Sequence, residues 1–145
     1  RITDFQCALG SNQLKKLDIF VQKRREIAVQ YDNSFANIVN LKIPKLQSAV
    51  EHAYHLYPLQ IHFDKLKKNK SEFFKKMKES GINLQVHYVP IHLQPFYQKN
   101  YGFKQGNVPV AERFYRNEVS LPIYPYLSKD DVEMVANSIL EIIST

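Results

Sequence analysis

Residues 82–98, INLQVHYVPIHLQPFYQ, bring histidine and tyrosine together where an alternation of apolar and polar side chains ends. His87 and Tyr88 stand at that point, and Pro90 and His92 follow closely. Imidazole donates or accepts a hydrogen bond near neutral pH, and a tyrosine ring offers an apolar face with a hydroxyl. Proline stiffens a loop and lowers the entropy that the loop loses on binding. The stretch is typical of a substrate pocket; the alternative is that its rings only pack a loop onto the core.

Metal binding and nucleophilic catalysis are the other chemistries to weigh. His52 and His55 lie on or near a predicted strand, where their spacing points the side chains to opposite faces. A zinc site needs convergent ligands, so we predict no metal site. Cys7 falls on the apolar side of a helix start, which favours a core position over a nucleophile. The four glycines are isolated, so no phosphate-binding loop is expected.

The net charge of +6 is concentrated in residues 65–78. Phe73, Phe74 and Met77 have helical spacing there among lysines, which indicates an amphipathic helix with a solvated basic face rather than a nucleic-acid surface. No apolar run has the length of a membrane span. No signal peptide is expected, and a single cysteine is typical of a reducing compartment, so we predict a cytoplasmic protein that binds neither membrane nor nucleic acid.

Hydrophobic periodicity predicts one domain with interleaved helices and strands. The predicted elements are a helix over 4–37, a strand over 52–63, a helix over 71–80, a strand over 82–88, a helix from 109 to 119, an extended segment over 120–125 and a helix from 128. Loops are expected over 38–51 and 89–107.

Individual residues refine this prediction. Thr3 and Gln6 form a capping-box pattern, and Gly10 marks either a close backbone approach or a break in the first helix. Pro58 argues for an edge position or a bulge. Ser71 is the expected cap of the 71–80 helix, and Ser128 with Asp131 caps the last one. Gly81 is expected to end the 71–80 helix in the left-handed conformation.

The fold class that fits best is α+β, with a long N-terminal helix and a small, mainly antiparallel sheet that has helices on one side. The alternative is a small α/β sheet with helices on both faces.

Four blocks of the chain together resemble one known family. They are RITDFQCALGSNQLKKLD at 1–18, HAYHLYPLQI at 52–61, GINLQVHYVPIHLQPFY at 81–97 and PVAERFYRNEVSLPIYPYLS at 109–128. In this order they are similar to the C-terminal part of the DegT/DnrJ/StrS-type sugar aminotransferases. Within that family, the UDP-amino-sugar C4 transaminases of pseudaminic acid synthesis are the most similar in overall texture.

The resemblance implies a type I pyridoxal phosphate fold. In that fold a large N-terminal domain holds the cofactor on a lysine, and a small C-terminal domain closes over the active site of a homodimer. An amino group moves from glutamate to a keto-sugar on UDP. The chain as a whole, 1–145, then corresponds to the small domain, with a helical dimer and interdomain segment at 1–37 and a sheet subdomain at 52–145.

Nothing in the sequence resembles the large domain, so we expect the chain to be inactive alone and not to bind pyridoxal phosphate by itself. Without that domain, apolar surface on the first helix and on the loop after Pro90 is expected to be exposed. Arg1 would follow the segment that approaches the cofactor phosphate, which makes it a cofactor-side candidate. No catalytic residue and no metal ligand is assigned.

The resemblance also implies which residues contact substrate. Val86 would contribute backbone or packing, and the others polar contacts to sugar or phosphate. The substrate-binding candidates are Gln85, Val86, His87 and Tyr88, with His92 as a further candidate. The competing interpretation is a non-catalytic binding or dimerisation module that keeps the fold, and a basic nucleic-acid-binding domain is a third that rests on charge alone.

Overall fold

The computed structural model describes residues 1–144, which form helices around a small sheet. The helices are α1 (Asp4–Leu14), α2 (Leu17–Phe35), α3 (Phe63–Leu66), α4 (Lys70–Glu79), α5 (Pro95–Tyr101), α6 (Pro109–Asn117) and α7 (Lys129–Ser144), with a 3₁₀ turn at Ile91–Leu93. The strands are β1 (Leu41–Lys42), β2 (Tyr57–Ile61) and β3 (Glu118–Leu121).

The sheet has the order β1-β2-β3, and both pairings are antiparallel. This confirms the α+β class; the alternative of an α/β sheet is wrong because that class needs parallel strands. The register sets Leu59 opposite Val119 and Tyr57 opposite Leu121. All four side chains are buried on one face of the sheet, which places the core there.

Helices α2 and α7 cover that core. Both present apolar side chains at helical spacing, as the pattern at the C-terminus predicted. The buried residues are Ile27, Ala28, Tyr31 and Phe35 of α2, and Val132, Val135, Ala136, Ile139 and Ile143 of α7. The predicted cap of α7 is confirmed, because the Asp131 amide donates to Ser128 Oγ at 3.1 Å.

The first helix differs from the prediction. The predicted continuous helix is interrupted at Lys15 and Lys16, between α1 and α2. Lysine is a good helix former, so the sequence gives no signal of this interruption. Gly10 lies inside α1 in open space, so it marks neither a break nor a close approach. The Thr3 capping box is confirmed. Cys7 is exposed, so its predicted core position is wrong.

Pro58 lies in the central strand rather than on an edge strand, without losing a ladder hydrogen bond. Its partner in β3 is Ser120, whose amide and carbonyl bond Gln85 on the far side. Pro58 and Ser120 are therefore a non-hydrogen-bonded pair, and the nitrogen of Pro58 points toward the β1 side. Because β1 pairs only with Gln60 and Ile61, no strand lies beside Pro58 there. Its position is locally an edge, which is where proline is tolerated.

Other boundaries also needed correction. Strand β2 starts at Tyr57, because Tyr54 has a φ of 47°, which a strand does not allow. Helix α4 is capped by Asn69 rather than Ser71, since Asn69 Oδ1 accepts from the Ser71 amide at 2.7 Å. Gly81 has the predicted left-handed conformation, with a φ of 79°. The helix predicted through 119 ends two residues earlier, where β3 begins.

The segment predicted as a loop over 89–107 contains the 3₁₀ turn and α5. A buried pair holds it: His92 Nε2 lies 2.8 Å from Glu112 Oε1. The Glu112 carboxylate also accepts from the amides of Gly106 at 2.8 Å and Val108 at 3.3 Å. The hydrogen bond with His92, together with those two backbone bonds, lowers the pKa of Glu112.

Apolar side chains remain exposed in the two predicted places. Helix α1 buries none of its residues. Exposed apolar residues near it are Ile2, Phe5, Leu9 and Leu14, and those around the 89–107 segment are Tyr88, Ile91, Phe96 and Tyr101. Exposed apolar side chains in such number are expected where another surface packs.

A leucine-to-alanine substitution in the core and one on the surface should differ clearly in their effect on the free energy of unfolding. Leu59 is fully buried, whereas Leu9 is 54% exposed. We expect Leu59→Ala to lower the free energy of unfolding by about 2–5 kcal/mol, because it leaves a cavity in the core. Leu9→Ala should change it by less than about 0.5 kcal/mol. Urea denaturation measures both; equal effects would contradict the position of the core.

The exposed surface of α1 should make the isolated chain self-associate. We expect sedimentation velocity to show concentration-dependent dimers or larger species. The double variant Phe5→Gln/Leu9→Gln should shift the distribution toward monomer, since it removes apolar surface without touching the core. Val39→Gln, at a side chain 80% exposed but far along the chain from α1, is the control. A wild-type chain that stays monomeric at high concentration would contradict this prediction.

Glu112 should make stability fall in acid. Because its pKa is lowered on folding, its contribution is present above the ordinary carboxyl pKa of 4.5 and is lost as the pH falls below that value. We expect the stability difference between wild type and Glu112→Gln to be largest near neutral pH and to shrink below pH 4.5. Thermal unfolding across pH measures it. Glu133→Gln, on the exposed face of α7, is the control, and a difference independent of pH would refute the assignment.

Candidate functional site

The segment before His87 joins the sheet at one point. The amide of Gln85 donates to the Ser120 carbonyl at 3.2 Å, and the Ser120 amide donates back at 2.8 Å. The strand predicted over 82–88 is wrong beyond this bridge. Two residues further on, the amide of His87 donates to the side-chain Oε2 of Glu118 at 3.0 Å instead of to a backbone carbonyl. The peptide bond between His87 and Tyr88 is cis.

A buried polar cluster, defined here as His87, Ser120 and Glu118, lies at this point. Ser120 Oγ donates to Glu118 Oε1, and His87 Nδ1 lies 2.7 Å from the same Ser120 Oγ. Glu118 is fully buried and Ser120 is 4% exposed, whereas His87 is half-buried. The three groups therefore connect the interior of the sheet to its surface.

Strand β3 positions two of these groups by alternation. Val119 and Leu121 point to the core face, so Glu118 and Ser120 point to the opposite face. Sequence reasoning assigned no site role to either residue. The available signal was a glutamate and a serine at alternate positions in an otherwise apolar strand, both of which become buried.

A cleft of about 340 Å³ lies beside the cluster. Gln85, His87 and Ser120 line one side, and Arg24 of α2 and Asn83 also contribute to the lining. The wall is therefore rich in hydrogen-bonding groups and carries one permanent positive charge. Such a cleft suits a polar, hydroxyl-bearing or anionic small molecule.

Arg24 lines the cleft and is held there by backbone carbonyls. One of its terminal nitrogens donates to the carbonyls of Tyr54 at 3.1 Å, His55 at 3.3 Å and Ile123 at 2.8 Å. A guanidinium carries five N–H donors, and these three hydrogen bonds use one nitrogen. The side chain thereby ties α2 to two separate loops of the described chain while it keeps its charge at the cleft.

The predicted contact residues do not all meet in this cleft. Gln85 and His87 line it, and the ring of Tyr88 packs edge-on against His87 at 4.7 Å while remaining 73% exposed. Val86 lines a second cavity of about 600 Å³ instead, because successive residues of an extended segment face opposite ways. His92 is buried at a third, mostly apolar cavity, where Glu112 occupies its Nε2.

Arg1 precedes α1 and is exposed, and its cofactor role stays a prediction. Within residues 1–144 no group of three or more histidine, cysteine or acidic side chains is arranged to hold a metal ion. Over the same residues, no helix combines the length and the apolar character that crossing a bilayer requires.

Comparison with known proteins gives a consistent result. The chain is 45% identical to the Methanocaldococcus jannaschii protein MJ1066 over 99% of its own length. It is 35% identical to the UDP-4-amino-4,6-dideoxy-N-acetyl-beta-L-altrosamine transaminase of Campylobacter jejuni, again over 99%. In both cases it spans 37% of the relative.

Structural similarity agrees. The Helicobacter pylori aminotransferase PseC, involved in the biosynthesis of pseudoaminic acid, matches with a TM-score of 0.90 and 33% identity. The match covers 99% of this chain and 38% of PseC. The family profile of the DegT/DnrJ/EryC1/StrS aminotransferases matches residues 1–140. The chain belongs to the DegT/DnrJ/EryC1/StrS aminotransferase family.

Proposed function

We propose that this chain acts as the C-terminal small domain of a pyridoxal-phosphate-dependent aminotransferase that moves an amino group from glutamate to a UDP-linked 4-keto-6-deoxy sugar. The observation that carries the proposal is the similarity to PseC over 99% of this chain at a TM-score of 0.90. The transaminase of Campylobacter jejuni supports the same substrate class. Because the chain spans about 37% of these relatives, the remaining part of the activity belongs to a large domain.

Pyridoxal phosphate would supply the electron sink of the reaction when bound. Lys70 is the described lysine whose pKa is lowered, because burial disfavours its charge, which Glu118 partly restores. Its nitrogen donates to the carbonyls of Tyr115 at 2.8 Å and Glu118 at 2.7 Å, so it is not free to bond a cofactor. Lys70 is therefore not proposed as the cofactor lysine, and in this proposal the large domain holds the cofactor.

The role that remains for this chain is to bind and orient the sugar nucleotide. Gln85 and His87 offer hydrogen bonds from one wall of the cleft, and Arg24 offers positive charge from another. Tyr88 presents its exposed ring beside His87. Val86 contributes packing behind them, where it lines the neighbouring cavity.

Closure and dimerisation also fall to this chain in the proposal. The exposed apolar residues of α1 and of the 89–107 segment support packing against the large domain and a second copy. His92 then acts by holding that segment through Glu112, and Arg1 approaches the cofactor side. A free, exposed Cys7 supports a cytoplasmic location.

The second candidate is a non-catalytic binding or dimerisation module that keeps the family fold. The engaged nitrogen of Lys70 favours it, because the described lysine whose pKa is lowered is tied to two backbone carbonyls. The native mass in source cells, measured with an antibody against this chain, separates the two. A species much heavier than 17.0 kDa that absorbs as a pyridoxal enzyme supports the aminotransferase, and a 17.0 kDa species supports the module.

His87→Ala and Tyr88→Phe should impair sugar turnover rather than cofactor binding. We expect kcat/KM for the keto-sugar to fall about tenfold or more in the enzyme that carries this chain, equivalent to about 1.4 kcal/mol of lost hydrogen bonding. Cofactor absorbance should be unchanged. Tyr126→Phe is a matched control, because Tyr126 is also 73% exposed but its ring packs against Phe20 rather than against His87. Loss of cofactor as the main defect would overturn the assignment.

A further inference from the structure

The buried side chains of Glu118 and Ser120 form a chain of hydrogen bonds that ends at the ring of His87. We propose that this pair fixes neutral His87 in the tautomer that carries its proton on Nδ1, so that Nε2 accepts a hydrogen bond from a hydroxyl of the sugar. The proposal deepens the proposed function and rests on it. Glu118 and Ser120 are positioning residues, since neither is required to touch the substrate.

The direction of each hydrogen bond follows from the chemistry of the groups. A carboxylate only accepts, and both oxygens of Glu118 do so: Oε2 from the His87 amide and Oε1 from the Ser120 hydroxyl. The Lys70 ammonium donates to the backbone carbonyl of Glu118 at 2.7 Å. Ser120 therefore has its one proton committed to Glu118.

The state of the imidazole follows from that commitment. Ser120 Oγ, without a proton to give, presents a lone pair to His87 Nδ1 at 2.7 Å. Two lone pairs at this distance would repel, so Nδ1 carries the proton. A neutral imidazole has one donor and one acceptor nitrogen, which leaves Nε2 as the acceptor.

That acceptor is available to a ligand. Among residues 1–144 the hydrogen bonds of the His87 ring involve Nδ1, and the half-buried ring lines the 340 Å³ cleft. A sugar hydroxyl can donate to Nε2, whereas a phosphate oxygen is itself an acceptor and would be repelled. Arg24 is the cation of the same cleft and the better partner for phosphate. The cleft thereby distinguishes the sugar end of the ligand from its phosphates.

Replacing Glu118 by glutamine tests the tautomer with almost no change in shape. The His87 amide remains a fixed donor, so it selects the carbonyl oxygen of the new side chain. The amide NH₂ then faces Ser120 Oγ, which must accept and is free to donate its own proton to His87 Nδ1. Glu118→Gln is therefore expected to invert the tautomer and to put the proton on Nε2.

Long-range ¹H–¹⁵N correlation spectra of the 145-residue chain read this directly, since protonated and bare ring nitrogens differ widely in ¹⁵N shift. They are recorded at pH 8 in the Phe5→Gln/Leu9→Gln background that limits association. We expect Nδ1–H in this parent, inversion in Glu118→Gln, and a loss of the preference in Ser120→Ala. Ser120→Thr keeps the hydroxyl and should therefore show Nδ1–H as in the parent, unlike Ser120→Ala. Ser34→Ala, at a distant serine, is the control.

Two results would overturn the inference: Nε2–H in the parent chain, or the same tautomer in the parent and in Glu118→Gln. If Glu118→Gln does not fold, the contrast between Ser120→Ala and Ser120→Thr decides, because a purely structural role would not move the tautomer. A parent-like tautomer in Ser120→Ala would equally refute it.

Ligand titration separates this inference from the proposed function. The probes are UDP-N-acetylglucosamine and UDP alone, both at millimolar concentration. We expect the sugar nucleotide, and not UDP, to shift His87 Nε2, and its affinity to fall about tenfold in Glu118→Gln, equivalent to about 1.4 kcal/mol, with that of UDP unchanged. Binding of the sugar nucleotide without a shift at Nε2 overturns the acceptor role alone. No binding by either probe counts against the proposed function.

Discussion

The antiparallel pairing of β2 with β3 is the constraint on which the rest of the structure depends. It sets Leu59 against Val119 in the core. On the other face it places Glu118 and Ser120, two residues apart, where the backbone and ring of His87 can reach them. A shift of one residue would bury the polar pair in the core and turn the valine outward. Core and cleft are therefore specified by one register.

A buried carboxylate is costly unless its oxygens are fully hydrogen-bonded. Glu118 meets that condition, because its carboxylate accepts from the His87 amide and the Ser120 hydroxyl. The backbone carbonyl of Glu118 accepts from the Lys70 ammonium. Within the cluster of His87, Ser120 and Glu118, these hydrogen bonds leave Nε2 of His87 as the outer polar atom. They also explain why a carboxylate is tolerated at so deep a position.

Local patterns in the sequence predicted what depends on local interactions. The Thr3 and Ser128 caps, the buried stripe of α7 and the left-handed Gly81 all follow from residues within one or two turns. The break at Lys15, the tolerance of Pro58 and the burial of Glu118 do not. The position of Pro58 and the burial of Glu118 depend on the extent of, or contacts with, a segment distant in sequence, which propensity and periodicity do not report. The resemblance to the family identified His87 but not the groups behind it, because those lie in the next strand of the sheet.

Arg24 of α2 bonds the loop before β2 and the loop after β3 through one nitrogen. A rotation of α2 about its axis would therefore break the hydrogen bonds to Tyr54 and Ile123 together. Helix α2 and the rim of the cleft therefore move as one rigid body. The two-residue break at Lys15 lies outside that body, so a displacement of α1 is absorbed at this joint and leaves the geometry of the cleft unchanged.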